Sequence, residues 1–546
     1  MKLQEVLSIF QEFWPLFLIA ATYAIAEADR LKTLSTYRET AQHSKAKRPP
    51  IPAKWLRKVP EGLILGKSGS RYFCIPEGGP DADCMSAMIW GGTGSGKTSG
   101  PIGCTVLQLQ KDMIDHPDTA WSAMICDLKG EIHELAGGTA RACIIPQDDD
   151  PSTFFLIDPS EEKRPYTVGW DPYWRLSQEE GPSNDLMIEV FTGIAKCFIP
   201  EDKNQPYFSE NATAMMCGCL SYGYRHGENL VDTVLKILTC DIPKEIEKEL
   251  TDSAYSSVTE FFLGKFRGKK SEGFEDICST LTSKLSCFAL DSVAWILRDN
   301  PNQIGPDAIR KKNVFLSVPD HMLTETQMAP IFRLIISQEM QYLTLQLPPK
   351  GTRPVVLLVD EAYAVGGPSG IPGLEKTLSI CRGYRFSIIL AFQGQAQIDA
   401  VYGSGNGAGS RIILDNTRCR CILEVSDKKS AETCISWTGK YMERKTNTQT
   451  SRKMSGSISW QDRDIFTPSD FTSLAEQKRV IVVTPTGFSS IQKLQWFRDP
   501  HFRKIYESLH KERESSPENS RSSSGSPEAG SPIDTNQPGK GRKESL

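Results

Sequence analysis

The 546-residue chain has no C-x-x-C pair among its 15 cysteines, and its seven histidines do not cluster with them. The only close pairs, Cys217/Cys219 and Cys419/Cys421, lack zinc-ligand spacing, which argues against a structural zinc and fits free thiols in a reducing cytoplasm. There is no excess of either charge. A net charge of −4 gives no global signal for a polyanion, so any contact with DNA must fall to a local basic lining. The amino terminus lacks a basic leader and a small-residue cleavage site, so a cleaved signal peptide is a poor fit. The uninterrupted apolar run there, Phe13 to Ala26, is 14 residues, in the range where a membrane span and a buried helix look alike. An apolar fraction of 39% and a charged fraction of 24% are those of an ordinary globular protein. At this length one simple core is not enough, and about two to four domains are expected.

What the chain does contain is Gly91-Gly92-Thr93-Gly94-Ser95-Gly96-Lys97-Thr98, preceded by the apolar run Met85 to Trp90. This is the phosphate-binding pattern G-x-x-x-x-G-K-[ST] between a candidate strand and a candidate helix. Its glycines let successive backbone N–H groups converge on one anion, and the helix that follows turns its positive end to the same place. The pattern gives Lys97 to the β and γ phosphates and the Thr98 hydroxyl to Mg²⁺.

A second half of such a site lies far downstream. Val355 to Val359 is an apolar run ending in Asp360-Glu361, as expected of a buried parallel strand with acids at its carboxyl end. Asp360 suits the Mg²⁺ shell, and Glu361 suits the polarising of an attacking water. Gln393 ends the next apolar run, Phe386 to Phe392, where an amide can sense a γ-phosphate or simply make a turn. Arg382, just before that run, is either an arginine finger offered to a neighbouring subunit or a solvated helix-end residue beside Gly383.

The organisation around these motifs has six parts. Residues 1–29 form a hydrophobic segment, whose stretch 6–26 reads as a single membrane anchor with the amino terminus outside. The alternative is a helix lying in the interface or against a partner membrane protein. Residues 30–60 form a basic linker, with nine Lys/Arg against one acid between Arg30 and Lys58, which keeps the remainder on the cytoplasmic side. Strand and helix patterns then alternate through 61–170, with strands expected at 63–65, 71–75, 85–90, 121–127, 142–145 and 153–157. Residues 171–308 are almost purely helical in period (184–199, 206–224, 231–239, 253–265, 274–296). Strands return in 309–513, at 313–318, 354–359, 386–392, 419–425, 478–484 and 491–496, with a long helix near 325–345. Residues 441–460 read as an exposed flexible loop. The tail, 514–546, is too polar to bury a core and reads as disordered. The economical interpretation is an α/β nucleotide-binding domain interrupted by an all-α insert.

These motifs together resemble the coupling proteins of bacterial conjugation and type IV secretion, the TraG/TraD-type P-loop ATPases. The resemblance rests on GGTGSGKT at 91–98, DLKGE at 127–131, LLVDEAYAVG at 357–366, CRGYRFSIILAFQ at 381–393, QIDAVYG at 397–403 and FRDPHF at 497–502. It implies a RecA-like P-loop motor with ATP and Mg²⁺, assembling as a homo-hexamer on the cytoplasmic face of the inner membrane. It implies an all-α domain at the membrane-distal end and, as partners, type IV secretion inner-membrane components, with relaxase–DNA complexes or protein effectors as cargo. Residue by residue, Lys97 and Thr98 match the Walker A pair, Asp360 and Glu361 the Walker B pair, Gln393 the sensor and Arg382 the trans-acting arginine. The resemblance leaves Asp127, Lys129 and Glu131 without a chemical role. Two departures stand out. The family usually has two membrane helices where this chain has at most one, and no arginine lies on the strand leading into the P-loop.

Two other functions compete with ATP-driven delivery of substrates. An FtsK/HerA-like DNA translocase shares the motor but gives no reason for DLKGE or for so large a helical insert. A receptor platform would recruit cargo and use ATP for assembly, but the acid pair Asp360-Glu361 argues for hydrolysis.

Overall fold

A computed structural model describes Trp14 and residues 20–28, 55–75, 84–201, 205–252, 256–269, 272–324, 326–403, 407–425, 427–449 and 455–511. The anchor segment 6–26 falls mostly outside these residues, as do most of the basic linker 30–60 and the tail 514–546. Among the described residues no helix is long and apolar enough to cross a membrane.

The sheet accounts for most of the strands: β1 (Leu56–Arg57), β2 (Leu63–Ser68), β3 (Arg71–Ile75), β4 (Ala87–Gly91), β5 (Ser122–Asp127), β6 (Phe155–Ile157), β7 (Gly169–Trp170), β8 (Gln303–Ile304), β9 (Val314–Ser317), β10 (Val355–Val359), β11 (Phe386–Phe392), β12 (Cys419–Glu424), β13 (Lys440–Gln449), β14 (Ser455–Asp464), β15 (Arg479–Thr484) and β16 (Gly487–Gln492). Twelve of them form one sheet, ordered β1-β3-β2-β16-β15-β12-β4-β11-β10-β5-β9-β6. From β12 to β6 every neighbour is parallel. On the other side of β12 the sheet continues antiparallel to β1.

Strands of this kind must be apolar on both faces, and β10 (VVLLV) and β11 (FSIILAF) are buried at every position. Alternate side chains serve two cores. Met88, Trp90, Leu357, Val359, Ile388 and Leu390 join a cluster with Phe191, Met215, Ile331 and Ile335 of the helices. Ala87, Ile89, Val356, Leu358, Ile389 and Ala391 face the other way, onto Ile102, Val106 and Leu109.

Between β7 and β8 the described chain is helical: Asn184–Phe198, Pro206–Arg225, Leu230–Thr239, Ile242–Thr251, Ser257–Leu263 and Glu272–Lys284, with short turns after them. Four of these helices start on a side-chain cap (Ser183, Asn229, Asp241 and Ser256) accepting from a backbone N–H three residues on. β7 and β8 pair in parallel, so the excursion leaves and returns at one place.

Three expectations are corrected. Among the described residues, 441–449 and 455–460 are not a loop but belong to the antiparallel pair β13–β14, in register from Lys440↔Asp464 to Gln449↔Ser455. Its sequence is dominated by polar residues, with Met442, Ile458 and Trp460 too sparse to give a continuous period-2 signal. Residues 142–145 make one isolated bridge, Ala142↔Phe154, rather than a strand. The last strand is Gly487–Gln492, hydrogen-bonded to β15, and not 491–496. The apolar residues after Gln492 leave the sheet: Leu494 and Trp496 pack with Ile64, Tyr72, Cys104, Leu107 and Phe502, and Trp496 N donates to Ser99 O.

Candidate nucleotide site

The site forms where four parallel strands end side by side. Val359 of β10 is registered with Leu390 of β11 and with Cys126 of β5, and Phe392 of β11 with Trp90 of β4. The residues just beyond (Gly91, Asp127, Asp360, Glu361 and Gln393) therefore share one edge. In open α/β sheets ligands bind at this carboxyl edge.

Beyond β4 the loop turns tightly. Ser95 N donates to Gly92 O (3.1 Å) and Gly100 N to Gly96 O (3.0 Å). Gly94 and Gly96 both have φ +79°, a conformation that side-chain-bearing residues avoid. The first turn after the loop, Thr98–Ile102, is widened around Gly100 and Pro101, and a regular helix follows at Gly103–Asp115. Ser95 is almost fully buried, yet its Oγ has no hydrogen-bond partner. An orphan hydroxyl inside a nest of backbone donors fits a polar ligand there.

The acids of β10 meet this loop. Thr98 Oγ1 donates to Asp360 Oδ2 (3.2 Å), the pair that would share a Mg²⁺ ion. Burial, and then the charge of Glu361, push the Asp360 carboxyl up to about 6, while Lys97 and the Thr98 hydroxyl pull it back. Lys97 Nζ donates to Gly91 O (2.8 Å) and stands 3.5 Å from Glu361 Oε1, its side chain only 5% exposed. Gln393 Nε2 donates to Glu361 Oε2 at 3.0 Å. Lys97, Thr98, Asp360, Glu361 and Gln393 thus form one connected set.

Glu361 adopts φ +50°, ψ +53°, left-handed for a side-chain-bearing residue, at a cost of roughly 1–2 kcal/mol. Its N–H donates to Asp360 Oδ1 (3.0 Å) and its carbonyl accepts from Ala364 N (2.8 Å), which fixes the turn. Strain of this kind is typical of functional positions.

Arg382 is not brought to this set. It is exposed in the turn Cys381–Tyr384, before the amino end of β11, whereas Gln393 follows the carboxyl end. The strand between them spans roughly 20 Å at about 3.3 Å per residue.

The DLKGE motif acquires a role. The buried Asp127 carboxylate accepts from Glu131 N (3.1 Å), Ile132 N (2.9 Å) and His133 N (2.9 Å), and lies 2.9 Å from His133 Nδ1. It caps the turn Ile132–Leu135 from the end of β5, with Gly130 at φ +68° and Lys129 and Glu131 exposed at the rim.

Sequence reasoning missed two contacts. Gln397 Oε1 accepts from Gln393 N (2.8 Å) and holds the sensor's backbone. Lys493 Nζ donates to Ser95 O inside the phosphate loop. No local pattern ties Lys493 to a loop in the first hundred residues, so only the fold reveals it.

Phosphate loop, parallel sheet and acid pair define a P-loop α/β protein. Known structures with this fold include the unbound bacterial conjugative coupling protein TrwBΔN70, at 15% identity, 81% of this chain, 91% of that chain and a TM-score of 0.54. TrwB with the ATP analogue ADPNP matches at 14% identity over 82% of this chain and 93% of its own, TM-score 0.55. TrwB with ADP and Mg²⁺ matches at 15% identity over 83% and 94%, TM-score 0.53. At this identity the likeness is one of fold. No curated protein sequence matches the chain. A family profile, type IV secretory system conjugative DNA transfer, matches residues 178–520. The chain belongs to that conjugative DNA transfer family.

Proposed function

We propose that this protein is the ATP-hydrolysing coupling protein of a type IV secretion or conjugation system, recruiting DNA–protein or protein substrates and delivering them to the inner-membrane channel. The observation that carries this is the connected set Lys97–Glu361–Gln393 and Thr98–Asp360 at one sheet edge. Residues 91–98 would cradle the phosphates, and Thr98 and Asp360 would hold Mg²⁺, whose charge offsets that of the phosphates. Glu361, fixed by Gln393 and strained into position, would orient and polarise water. Lys97, parked against Gly91 O, would move to the phosphates when nucleotide enters. TrwB has been captured with ADPNP and with ADP and Mg²⁺, which supports ATP and Mg²⁺ here.

In this reading 61–170 and 309–513 are the two parts of the RecA-like domain, and 171–308 is the all-α insert, which takes part in substrate binding. The hydrophobic segment 1–29 attaches the protein to the inner membrane, and 30–60 links it to the motor. A homo-hexamer supplies Arg382 to the neighbouring nucleotide, because its own site is a strand's length away.

ATP turnover by the full-length protein, with and without single- and double-stranded DNA and at several protein concentrations, tests this. Turnover that rises with DNA and steeply with protein concentration is expected. Absence of turnover under all these conditions refutes the motor.

A further inference from the structure

The segment after β16 lies across the phosphate loop and is fastened at both ends. At its start Lys493 N donates to Lys478 O (2.9 Å), and midway Trp496 N donates to Ser99 O (3.0 Å). The carbonyl of Leu494 lies 2.9 Å from where a Cβ on Gly100 would stand. At the far end Asp499, from the FRDPHF motif, accepts from Lys67 Nζ (2.9 Å), Tyr72 Oη (2.9 Å) and His501 N (3.0 Å). A cavity of about 500 Å³ opens beside it, with Lys67, Lys478, Lys493 and Arg498 in its wall.

From this clasp the Lys493 ammonium donates to Ser95 O and passes 2.9 Å from a would-be Cβ on Gly96. In a trans peptide the C=O and the following N–H point in opposite directions. An ammonium that holds the Ser95 carbonyl outward therefore turns the Gly96 N–H inward, toward the concave side where a nest binds anions. The bond also places a second positive charge behind the loop, in addition to Lys97. Burial lowers the Lys493 amine from its ordinary value, and Glu424 is the acid that opposes this.

We propose that Lys493 is a positioning residue of the phosphate site: it fixes the Ser95–Gly96 peptide so that the loop recognises a nucleoside di- or triphosphate, with the FRDPHF segment as the clasp that holds it there. This rests on the nucleotide reading above and adds a residue acting in cis from the far end of the chain. In P-loops the backbone amides cradle the α and β phosphates. AMP lacks the β phosphate and makes only part of these contacts, so misplacing the Gly96 amide is felt by ADP and ATP and less by AMP.

The test is displacement of a fluorescent nucleotide from the full-length protein by ADP, ATP and AMP with Mg²⁺, for wild type, Lys493→Met, Lys493→Gln and Lys493→Arg. The Met and Gln variants should bind ADP and ATP about tenfold or more weakly with AMP within twofold, and Arg should recover most of the loss. In turnover, KM should rise about tenfold with kcat within twofold. A structural role alone would weaken all three nucleotides together. The Gln variant carries the test where Met impairs folding. Equal losses for ADP and AMP, or ADP affinity unchanged in both neutral variants, overturn the proposal alone. A wild-type protein that binds none of the three overturns the nucleotide reading and this proposal together.

Discussion

Replacing Glu361 by Gln separates two jobs that one carboxylate performs in this structure. One oxygen accepts from Gln393 and the other faces Lys97 at 3.5 Å. Gln keeps the shape and can still accept from Gln393, but it loses the charge. Removing a positioned general base costs roughly 10²–10⁴ in rate, or about 3–5 kcal/mol in the barrier. The same substitution frees Lys97 from its ion pair in the empty site. The Glu361 side chain is 19% exposed, so that pair is partly screened, and its loss is worth about 0.5–1 kcal/mol. Nucleotide should therefore bind about two- to fivefold more tightly while turnover collapses. Glu361→Gly is the control: it relieves the left-handed strain at φ +50° and so should not destabilise the fold. It should be as inactive as the Gln variant. The assays are single-turnover hydrolysis and nucleotide titration on the same preparations. Turnover in the Gln variant within threefold of wild type would refute the base assignment. Weaker binding in that variant would refute the role given to the Lys97–Glu361 pair.

Two further outcomes follow from buried charges elsewhere. Arg333 is almost fully buried and donates to Cys197 O (3.2 Å) and Gly366 O (3.3 Å), so it caps the end of a helix in the helical segment and the end of the turn after the acid pair. Arg333→Met should cost about 3–5 kcal/mol in urea unfolding, since it strips charged donors from two buried carbonyls, and a loss below about 0.5 kcal/mol would rule that out. Burial raises the Glu249 carboxyl to about 8, Lys236 opposing it and Glu245 and Glu228 adding to the rise. The folded protein thus holds a proton that the unfolded chain releases above about 4.5. This stabilisation is complete below that pH and is lost as pH rises to about 8, on the order of 3 kcal/mol by pH 7. Glu249→Gln should flatten the stability–pH curve between 5 and 8, and an unchanged slope would contradict the assignment.

The core of the site was legible because its chemistry is local. Glycines, a lysine and a threonine in eight residues, or an apolar run ending in two acids, carry their own context. The strand β11 was readable to the residue, Phe386–Phe392, because it is apolar throughout and ends at a polar amide. What escaped was non-local or unpatterned. The mostly polar β13–β14 pair has too few apolar residues to give a regular alternation, and Asp127 shows its capping role only once three backbone amides converge on it. The strand misplaced at 491–496 is instructive. Ile491 and Gln492 do pair with β15, but beyond them Trp496 N donates to Ser99 O, just past the phosphate loop, so the reading failed where the chain turns away from the sheet toward the site.

The two ends of β11 carry a further consequence for assembly. Gln393, past its carboxyl end, touches Glu361, while Arg382, before its amino end, lies on the opposite edge of the same sheet. A buried parallel strand cannot fold back, so no rotamer of Arg382 bridges the roughly 20 Å to its own phosphate loop. An arginine side chain spans only about a third of that distance. In the proposed ring Arg382 would therefore not serve its own nucleotide, and a neighbour's Arg382 would meet the charge that develops on the transferred phosphate. An arginine supplied in trans is worth about 10³–10⁵ in kcat in the P-loop enzymes that use one. Assembly and chemistry would then be one switch: dilution of the protein lowers turnover per chain while each chain still binds nucleotide through residues 91–98.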